Sequence, residues 1–421
     1  MPERAATCAG CGCGCDDIEV AVAGGALERV TRTCTIGDAW FAERTVDALP
    51  VARVDGREVD FAEAVETSAA ILGEAELPLV CGLGQTDCES QRAAVALAEA
   101  LGAVIDPSGS VVDGAVGAAS QVVGLSTATF GELRDRAELF VAWRADPVAS
   151  HPRLLPRLRL DRAGRAPAGA DSERTLVVID EQRTATADQA DEFIELPAEL
   201  DFEALWAMRA LAREVPLDRD LAARLPLDAF EQLAGRLRVC SYGAMLLGPA
   251  AYVNALALLA LVRDLARIAH VVALPLRHDG NARGAEDVLA WQTGYPSAVS
   301  FARGHPRAQP GEFSAAGVLE RGEADAALIV GFDALAHLPP RAADHLRRIP
   351  TIVVDSRATT ETAGIARVAF ATAAGGVHRE GTAHRMDGVP VPLRAPLASA
   401  RAGDEQVFAA IAARVAGTEG S

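Results

Sequence analysis

A block of sequence that occurs twice constrains the fold of this 421-residue chain more than any other feature. Residues 175–196 contain an apolar run that ends in an acid and a Thr-rich loop, and residues 350–366 have the same order. Both keep a loose V-V-x-D-x-R-x-T-x-T-A core. Acids and hydroxyl groups directly after a buried strand are typical of the carboxyl edge of a parallel sheet. The repeat therefore predicts two Rossmann-like domains.

Other segments support the same repeated order of strands and helices. Residues 77–84 predict a buried strand that ends in glycines, and residues 137–153 predict a strand with a Pro-marked turn. The second half repeats these features at residues 237–243 and 324–341. We therefore predict an α/β fold with a small N-terminal cysteine-rich unit and two Rossmann-like parallel-sheet domains. The predicted boundaries are 1–50 for the N-terminal unit, 51–235 and 236–372 for the two domains, and 373–421 for a C-terminal extension.

Acidic and hydroxyl side chains in the repeated block are the first candidates for ligand contacts. Asp180 corresponds to Asp355, and Thr184 and Thr186 lie in the same region of the block as Thr359 and Thr360. Acids at a carboxyl edge can accept hydrogen bonds from hydroxyl or amine groups, and Thr hydroxyls can bind phosphates. The alternative is that each Asp only forms a turn or caps a helix. The predicted cofactor-binding residues are Asp180, Thr184, Asp355 and Arg357.

Four cysteines near the N-terminus form the second pattern. Cys8, Cys11 and Cys15 lie on one Gly-rich loop and Cys34 follows, with the spacing C-x2-C-x3-C-x18-C. A [4Fe–4S] cluster needs one Cys sulfur for each iron, so we predict these four as its ligands. Zinc is an alternative, although it prefers paired C-x2-C motifs, and Cys13 could replace a neighbour. An unoccupied set is the third possibility. Residues 18–30 predict two short strands in the same unit.

Composition excludes several classes of function. The chain has 58 acidic and 40 basic residues and no lysine, a net charge of −18 that argues against nucleic-acid binding. The most apolar stretch, 250–276, is interrupted by charged residues, so we predict a buried helix and a strand instead of a membrane span. The polar start predicts no secretory signal and a cytoplasmic location. Reducing conditions there favour metal-binding cysteines over disulfides.

Three long motifs resemble a known family. Residues 8–20 (CAGCGCGCDDIEV), 291–313 (WQTGYPSAVSFARGHPRAQPGEF) and 379–394 (REGTAHRMDGVPVPLR) are similar to stretches of the B subunits of formylmethanofuran dehydrogenases. These subunits belong to the wider molybdopterin oxidoreductase family, which includes formate dehydrogenases. The resemblance covers nearly the whole chain.

The resemblance implies cofactors and partners. In that family two pyranopterin dinucleotides hold tungsten or molybdenum between two Rossmann-like domains, and a [4Fe–4S] cluster delivers electrons. CO2 becomes formate at the metal, and a separate zinc amidohydrolase subunit condenses formate with an amine. A β-barrel that closes over the pterins comes from a further subunit, so both subunits are implied partners.

The family's metal ligand is missing from this chain. The family loop reads roughly Ser-x-Cys-His-Gly, but Val112 stands at the thiolate position and Asp113 at the His position. Val has no donor atom, whereas Asp113 could bind a metal through oxygen; a turn residue is the alternative. The family's catalytic Arg corresponds to Arg277, whose alternative is an ordinary ion pair. Trp40 stands where the family often has a basic side chain between cluster and pterin.

Three functions are consistent with these residues. The favoured one is a redox-silent B subunit that acts as a scaffold in a one-carbon complex, as in the degenerate B subunits of formyltransferase/hydrolase complexes. The second is an active tungsten or molybdenum formate/CO2 oxidoreductase subunit. The third is an iron–sulfur electron-transfer or pterin-binding module. Loss of the Cys and His favours the first, while retention of four cysteines favours a retained cluster.

Overall fold

The computed structural model describes residues 3–44, 49–107, 111–160, 174–220, 222–357 and 360–418, with the backbone alone at 111–113 and 418. The strands are β1 Glu3–Cys8, β2 Cys15–Ala23, β3 Ala26–Thr31, β4 Ala52–Val54, β5 Arg57–Val59, β6 Pro78–Gly82, β7 Val104–Asp106, β8 Leu139–Trp143, β9 Thr175–Asp180, β10 Glu192–Glu195, β11 Gly243–Leu247, β12 Val271–Pro275, β13 Val299–Ser300, β14 Arg307–Ala308, β15 Ala326–Val330, β16 Thr351–Asp355, β17 Val368–Ala371, β18 Gly381–His384 and β19 Pro390–Leu393.

The helices alternate with these strands along most of the chain. They are α1 Thr35–Glu43, α2 Phe61–Glu74, α3 Cys88–Ala100, α4 Val111–Val123, α5 Phe130–Arg136, α6 Pro147–Ser150, α7 Leu154–Arg157, α8 Asp201–Ala212, α9 Leu227–Val239, α10 Ala255–Ala266, α11 Ala282–Thr293, α12 Pro310–Phe313, α13 Ala315–Glu320, α14 Ala334–His337, α15 Pro340–Leu346, α16 Glu361–Ile365 and α17 Asp404–Thr418.

Residues 115–278 form one compact unit, called here the inserted unit. Its five strands are all parallel, in the order β10-β9-β8-β11-β12. Counted within the unit this order is 3-2-1-4-5, as in a Rossmann sheet. Strands β8, β11 and β12 are buried along their whole length, because helices cover both faces of such a sheet.

Residues 1–114 and 279–421 form the second compact unit, called here the split unit. The parallel part of its sheet has the order β7-β6-β15-β16-β17, or 2-1-3-4-5 within the unit, which is the flavodoxin-like order. Antiparallel strands extend it on both edges, with β13 and β14 beside β7 and β4 and β5 beside β17. The chain therefore leaves this sheet after β7 and returns to it at β13.

Helix starts follow local capping chemistry. Asp87 precedes α3 and accepts a hydrogen bond from the Ser90 amide at 2.7 Å, and Asp60 accepts one from the Glu63 amide ahead of α2. An N-cap carboxylate satisfies an amide that the first turn leaves without a partner. These caps place α2 and α3 at defined points after the preceding strands.

Two small antiparallel sheets belong to the split unit. Strands β1, β2 and β3 form one of them, and Gly24 and Gly25 turn between β2 and β3 with φ of 58° and 84°. Only glycine adopts such angles at little cost. The predicted strand pair around these glycines is therefore confirmed. Strands β18 and β19 pair in the C-terminal segment.

The apolar stretch that was predicted to be a buried helix and a strand forms α10 and β12. Among the described residues, Pro249–Ala266 is the one stretch long and apolar enough to span a membrane, and 61% of it is buried inside the protein. Leu258, Leu261 and Leu265 of α10 belong to the core of the inserted unit. A core helix of a globular unit has these properties.

The α/β class with parallel sheets is confirmed, but the strands are grouped differently from the predicted domains. Strand β8 pairs with β11 across the predicted boundary at 235, and β6 pairs with β15 although 243 residues separate their last and first residues. The segment 237–243 was expected to hold a strand, yet α9 extends to Val239 and β11 starts at Gly243. Phe230, Leu233 and Leu237 are buried at helical spacing, and this burial explains the longer helix.

Candidate iron–sulfur site and carboxyl-edge cleft

The cysteine loop lies between the first two strands. Cys8 ends β1 and Cys15 begins β2, and the two are register partners. The turn between them contains Cys11, whose carbonyl oxygen accepts a hydrogen bond from the Gly14 amide at 3.2 Å. Cys34 occupies the N-cap position of α1.

The electrostatic surroundings of Cys8 include the other three predicted ligands. Cys8, Cys11 and Cys15 are buried and Cys34 is partly exposed. Burial raises the pKa of Cys8, and the negative charges of Cys15, Cys11 and Cys34 add to the rise, although the Gly10 amide, 3.4 Å from its sulfur, opposes it. A thiolate at Cys8 would therefore be repelled by thiolates at the other three cysteines. Such a set needs a positive centre if it is to be deprotonated.

The described cysteines do not form a site for a single metal ion. In the part of the chain that the structure describes, no group of three or more His, Cys, Asp and Glu side chains is arranged to hold one metal ion. Ligands of a [4Fe–4S] cluster stand farther apart, because each sulfur binds a different iron. Space at the loop is limited: a Cβ on Gly37 would lie 3.2 Å from the Cys8 sulfur. The cluster itself stays a prediction.

A buried arginine next to the cysteine loop was missed by the sequence analysis. The guanidinium of Arg44 lies 4.7 Å from the ring centre of Trp40, and it donates to Gln85 Oε1 at 3.2 Å. Burial lowers the pKa of Arg44 to about 10, and the charges of Asp355 and Cys8 are among those that raise it. Arg44 is four residues after Trp40, one helical turn away, and that spacing was the available signal.

These side chains line a cleft of about 420 Å³ in the split unit. Gly10 of the cysteine loop, Trp40, Arg44, Gln85 and Arg357 contribute to its walls. Gln85 follows β6 and Arg357 follows β16, so the cleft lies at the carboxyl edge of the parallel sheet. Ligands of open α/β sheets bind at this edge, near the point where the strand order reverses.

The predicted acid of the split unit makes an internal ion pair. Asp355 is buried and accepts hydrogen bonds from the Arg357 amide at 2.8 Å and from its guanidinium at 2.8 and 3.1 Å. Burial lowers the pKa of Arg357, but the charge and hydrogen bonds of Asp355, together with the charges of Glu43 and Asp279, raise it more, so the net change is upward. The geometry is that of an Asp turn, the alternative considered for this residue. Arg357, and not Asp355, faces the cleft.

The predicted residues of the inserted unit have similar local roles. Asp180 accepts a hydrogen bond from the Glu181 amide at 2.7 Å and lies 3.6 Å from the guanidinium of Arg144. Arg144 also pairs with buried Asp201 at 2.9 Å. Thr184 Oγ1 accepts a hydrogen bond from the Ala187 amide at 3.2 Å. These contacts form turns and ion pairs, and the predicted cofactor contacts stay untested.

The two repeated blocks share a specific clasp. Asp146 Oδ1 accepts from the Thr186 amide at 3.0 Å and its hydroxyl at 2.6 Å, and Asp333 Oδ1 does the same with Thr362 at 3.0 and 2.6 Å. Each Thr hydroxyl oxygen then accepts from an amide two residues after the Asp, at 3.1 and 3.0 Å. By this geometry Thr186 corresponds to Thr362, two positions beyond the Thr360 of the sequence comparison. Thr359 lies outside the described residues.

The remaining predicted residues lie in separate places. Arg277 is buried with its guanidinium 5.7 Å from the Tyr252 ring, and its carbonyl oxygen is 2.7 Å from His151 Nε2. Burial lowers the pKa of His151 to about 4, so the ring is neutral near neutral pH and donates this bond. Asp113 belongs to the first turn of α4, and its side chain and that of Val112 lie outside the described part.

The strand orders add residues that the sequence did not indicate. In the inserted unit the order reverses between β8 and β11, where Arg144 adopts a φ of 49° and a Cβ on Gly248 would lie 1.6 Å from the Arg144 carbonyl oxygen. In the split unit it reverses between β6 and β15, next to Gly82 and Gly331. Non-local pairing created both points, so the glycines that end the predicted strand at 77–84 did not by themselves mark a reversal of strand order.

The chain is similar in sequence to B subunits of two kinds of complex. No protein-family model matches the chain. It is 35% identical over 404 residues to the B subunit of tungsten-containing formylmethanofuran dehydrogenase 2 from Methanocaldococcus jannaschii, and the match covers 93% of each chain. It is 31% identical over 322 residues to the B subunit of the formyltransferase/hydrolase complex Fhc from Methylorubrum extorquens, covering 74% of this chain and 81% of that one.

Solved structures agree with these relatives. A chain of the Methylorubrum extorquens formyltransferase/hydrolase complex FhcABCD, solved with methylofuran, matches with a TM-score of 0.72 and 27% identity over 88% of this chain and all of that one. Acetylene hydratase from Pelobacter acetylenicus matches with a TM-score of 0.67 over 98% of this chain and 70% of that one, but at 13% identity it shares the fold alone. The chain therefore belongs to the family of formylmethanofuran dehydrogenase B subunits.

Proposed function

We propose that this chain is the B subunit of a one-carbon complex that transfers or hydrolyses a formyl group, and that it serves there as a scaffold with a [4Fe–4S] cluster. The observation that carries the proposal is Val112 at the position of the family's metal-binding thiolate. A Val side chain has no donor atom for tungsten or molybdenum. The relative from the formyltransferase/hydrolase complex supports this assignment, since it aligns over most of both chains.

The cysteine loop supports the cluster. Cys8, Cys11, Cys15 and Cys34 are close enough for their charges to interact, and each would bind one iron. A bound cluster supplies one-electron transfer. Arg44 would stabilise the negatively charged cluster, because it is a buried cation within electrostatic reach of Cys8. It would thus provide the basic group that is absent at Trp40.

The cleft at the carboxyl edge of the split unit is suited to an anionic ligand, because arginines line it. Arg357 would contact this ligand from the cleft wall, and Asp355 would hold the guanidinium in place through three hydrogen bonds. Asp180 and Thr184 would have a corresponding role in the inserted unit. The class of ligand implied by the family is a pyranopterin dinucleotide, whose phosphates suit arginine.

The partners would be the other subunits of such a complex. By family resemblance they include a zinc amidohydrolase subunit and a β-barrel subunit, and the related FhcABCD assembly is made of four kinds of subunit. Purification of tagged chain from its native host tests this. We expect these subunits to be retained, whereas an isolated chain that carries iron would favour the electron-transfer module.

An active oxidoreductase is the second candidate. It is favoured by the 35% identity to a tungsten-containing relative over 93% of the chain, by Arg277, and by the oxygen donor that Asp113 offers. Metal analysis of anaerobically purified protein separates the two, together with formate-dependent dye reduction. About four irons per chain without tungsten or molybdenum is the expected result. Stoichiometric tungsten or molybdenum with dye reduction would refute the scaffold assignment.

A further inference from the structure

A buried carboxyl group lies at the start of the C-terminal helix of the split unit. Asp404 is the first residue of α17, and its Oδ2 accepts a hydrogen bond from Thr86 Oγ1 at 2.5 Å. Asp404 Oδ1 and Thr372 Oγ1 are also buried, and no hydrogen bond of ordinary geometry to a described residue satisfies either atom, although the Thr372 hydroxyl lies near enough to lower the pKa of Asp404. A sealed carboxylate with a free oxygen is costly, since nothing replaces its lost hydration.

The helix does not need this side chain as a cap. Gly403 occupies the N-cap position: its amide donates to Gln406 Oε1 at 3.0 Å, and its carbonyl oxygen accepts from the Gln406 amide at 3.1 Å. An exposed acid in a first turn is normally stabilised in its charged form by the helix dipole. Asp404 has that position but not that exposure, so its surroundings decide its charge.

The charged groups around Asp404 include three acids, two of which are already paired with arginines. Asp87 caps α3 and Asp355 ends β16, and Asp355 is paired with Arg357. The next residue, Glu405, is paired with Arg379. Burial raises the pKa of Asp404 to about 7, the Thr372 and Thr86 hydroxyls lower it, and the charges of Asp87 and Asp355 raise it further.

Asp404 links the start of α17 to the carboxyl edge of the sheet through Thr86, and Thr372 lies beside it. Thr86 belongs to the Gly-rich loop at 82–87, which follows β6, and Thr372 directly follows β17. We propose that Asp404 is a pH-operated latch, which in its protonated form holds the first turn of α17 against this loop and which opens when the proton leaves. The step breaks one O–H bond and releases a proton to water. The resulting carboxylate repels Asp87 and Asp355 and must be hydrated, and both effects loosen the contact.

The direction of the pH effect follows from linkage. The closed latch binds its proton with a pKa near 7, whereas the opened group has a value near 3.8. The closed form is therefore fully favoured at low pH, and its advantage is lost as pH rises to about 7. One proton corresponds to a tenfold change per pH unit in the opening equilibrium between these values, with no further change above them.

Hydrogen exchange of the full-length protein tests the latch. Protection of peptides over 82–90 and 400–411 should fall about tenfold per pH unit from pH 5 to 7, after correction for intrinsic exchange, and then level off. Asp404→Asn should remove this fall, because the amide does not titrate. Asp228→Asn, a change at an acid with a 91% exposed side chain, should keep the wild-type profile.

A second variant keeps the test decisive if Asp404→Asn does not fold. Thr86→Val removes a hydrogen bond that lowers the pKa of Asp404, so the levelling point should move to higher pH. The proposal is overturned if the wild type has constant protection over this range, if Asp404→Asn keeps the fall, or if Thr86→Val levels off at the wild-type pH.

Discussion

At the residue scale, the same side chain has a different role depending on what surrounds it. Asp355 and Asp180 were predicted to contact a ligand. In the structure each stabilises the loop that contains it, because each accepts a hydrogen bond from a nearby backbone amide. The cysteines were predicted from spacing alone, and in the structure the charges of Cys11, Cys15 and Cys34 raise the pKa of buried Cys8. Arg44 was missed although it follows Trp40 by one helical turn, because its contact with Gln85 joins residues that lie 41 positions apart.

The cluster assignment is testable at a single cysteine. Cys11→Ala removes one of four iron ligands, so we expect loss of the broad visible absorption of the anaerobically purified protein. Cys240→Ala is the matched control, because Cys240 follows α9 and its sulfur contacts the Leu237 carbonyl oxygen instead. An unchanged spectrum in Cys11→Ala would remove the cluster from the proposed function.

At the element scale, strand ends and helix starts are held by short polar contacts that recur in both units. The Asp146–Thr186 and Asp333–Thr362 clasps each join the loop after one strand to the loop after the next. The sequence indicated the repeat but misaligned its threonines, since only the hydrogen bonds define which Thr binds which Asp. It also misplaced the strand near 240, because apolar residues at 233 and 237 fit a helix face equally well.

Breaking one clasp should destabilise the split unit. Asp333 accepts three hydrogen bonds, from the Thr362 amide and hydroxyl and from the Glu361 amide. We expect Asp333→Ala to cost roughly 1–3 kcal/mol in urea unfolding at pH 7, because buried donors lose a charged acceptor. Asp344→Ala, at an acid with a 67% exposed side chain, should cost far less.

The same clasp predicts a pH dependence. Burial raises the pKa of Asp333, but the hydrogen bonds from Thr362 and Glu361 lower it more, and the net shift is downward. A depressed pKa stabilises the folded state above the unfolded value of 3.8 and ceases to do so at lower pH. The stability difference between wild type and Asp333→Ala should therefore shrink below about pH 4. A difference that stays constant down to pH 3 would contradict this origin.

At the scale of the whole molecule, two sheets divide the chain in a way that chain order does not suggest. Each unit has its own apolar core, with Trp143 and Leu258 in the inserted unit and Leu328 and Phe408 in the split unit. The core of the split unit joins residues from both ends of the chain. The predicted boundaries followed sequence continuity, and the strand pairing does not.

Two fragments of the chain can test whether the observed units or the predicted domains fold independently. Residues 115–278 contain all five strands of the inserted unit, so we expect this fragment to unfold cooperatively in urea and to show dispersed amide resonances. Residues 51–235 contain β6 and β8 without their partners β15 and β11, and this fragment should stay unfolded or aggregate. A folded 51–235 and an unfolded 115–278 would reverse the assignment.

The sequence by itself determined the α/β class, the buried strands, the Gly24-Gly25 turn, the α10 helix and the family, because each depends on local pattern or on long continuous motifs. Tertiary structure decided which strands pair, and therefore the two units, the cleft beside Arg44 and the buried state of Asp404. Parallel pairing joins segments far apart in the chain. Its free energy comes from burial and hydrogen bonds between those segments, which no local stretch of sequence contains.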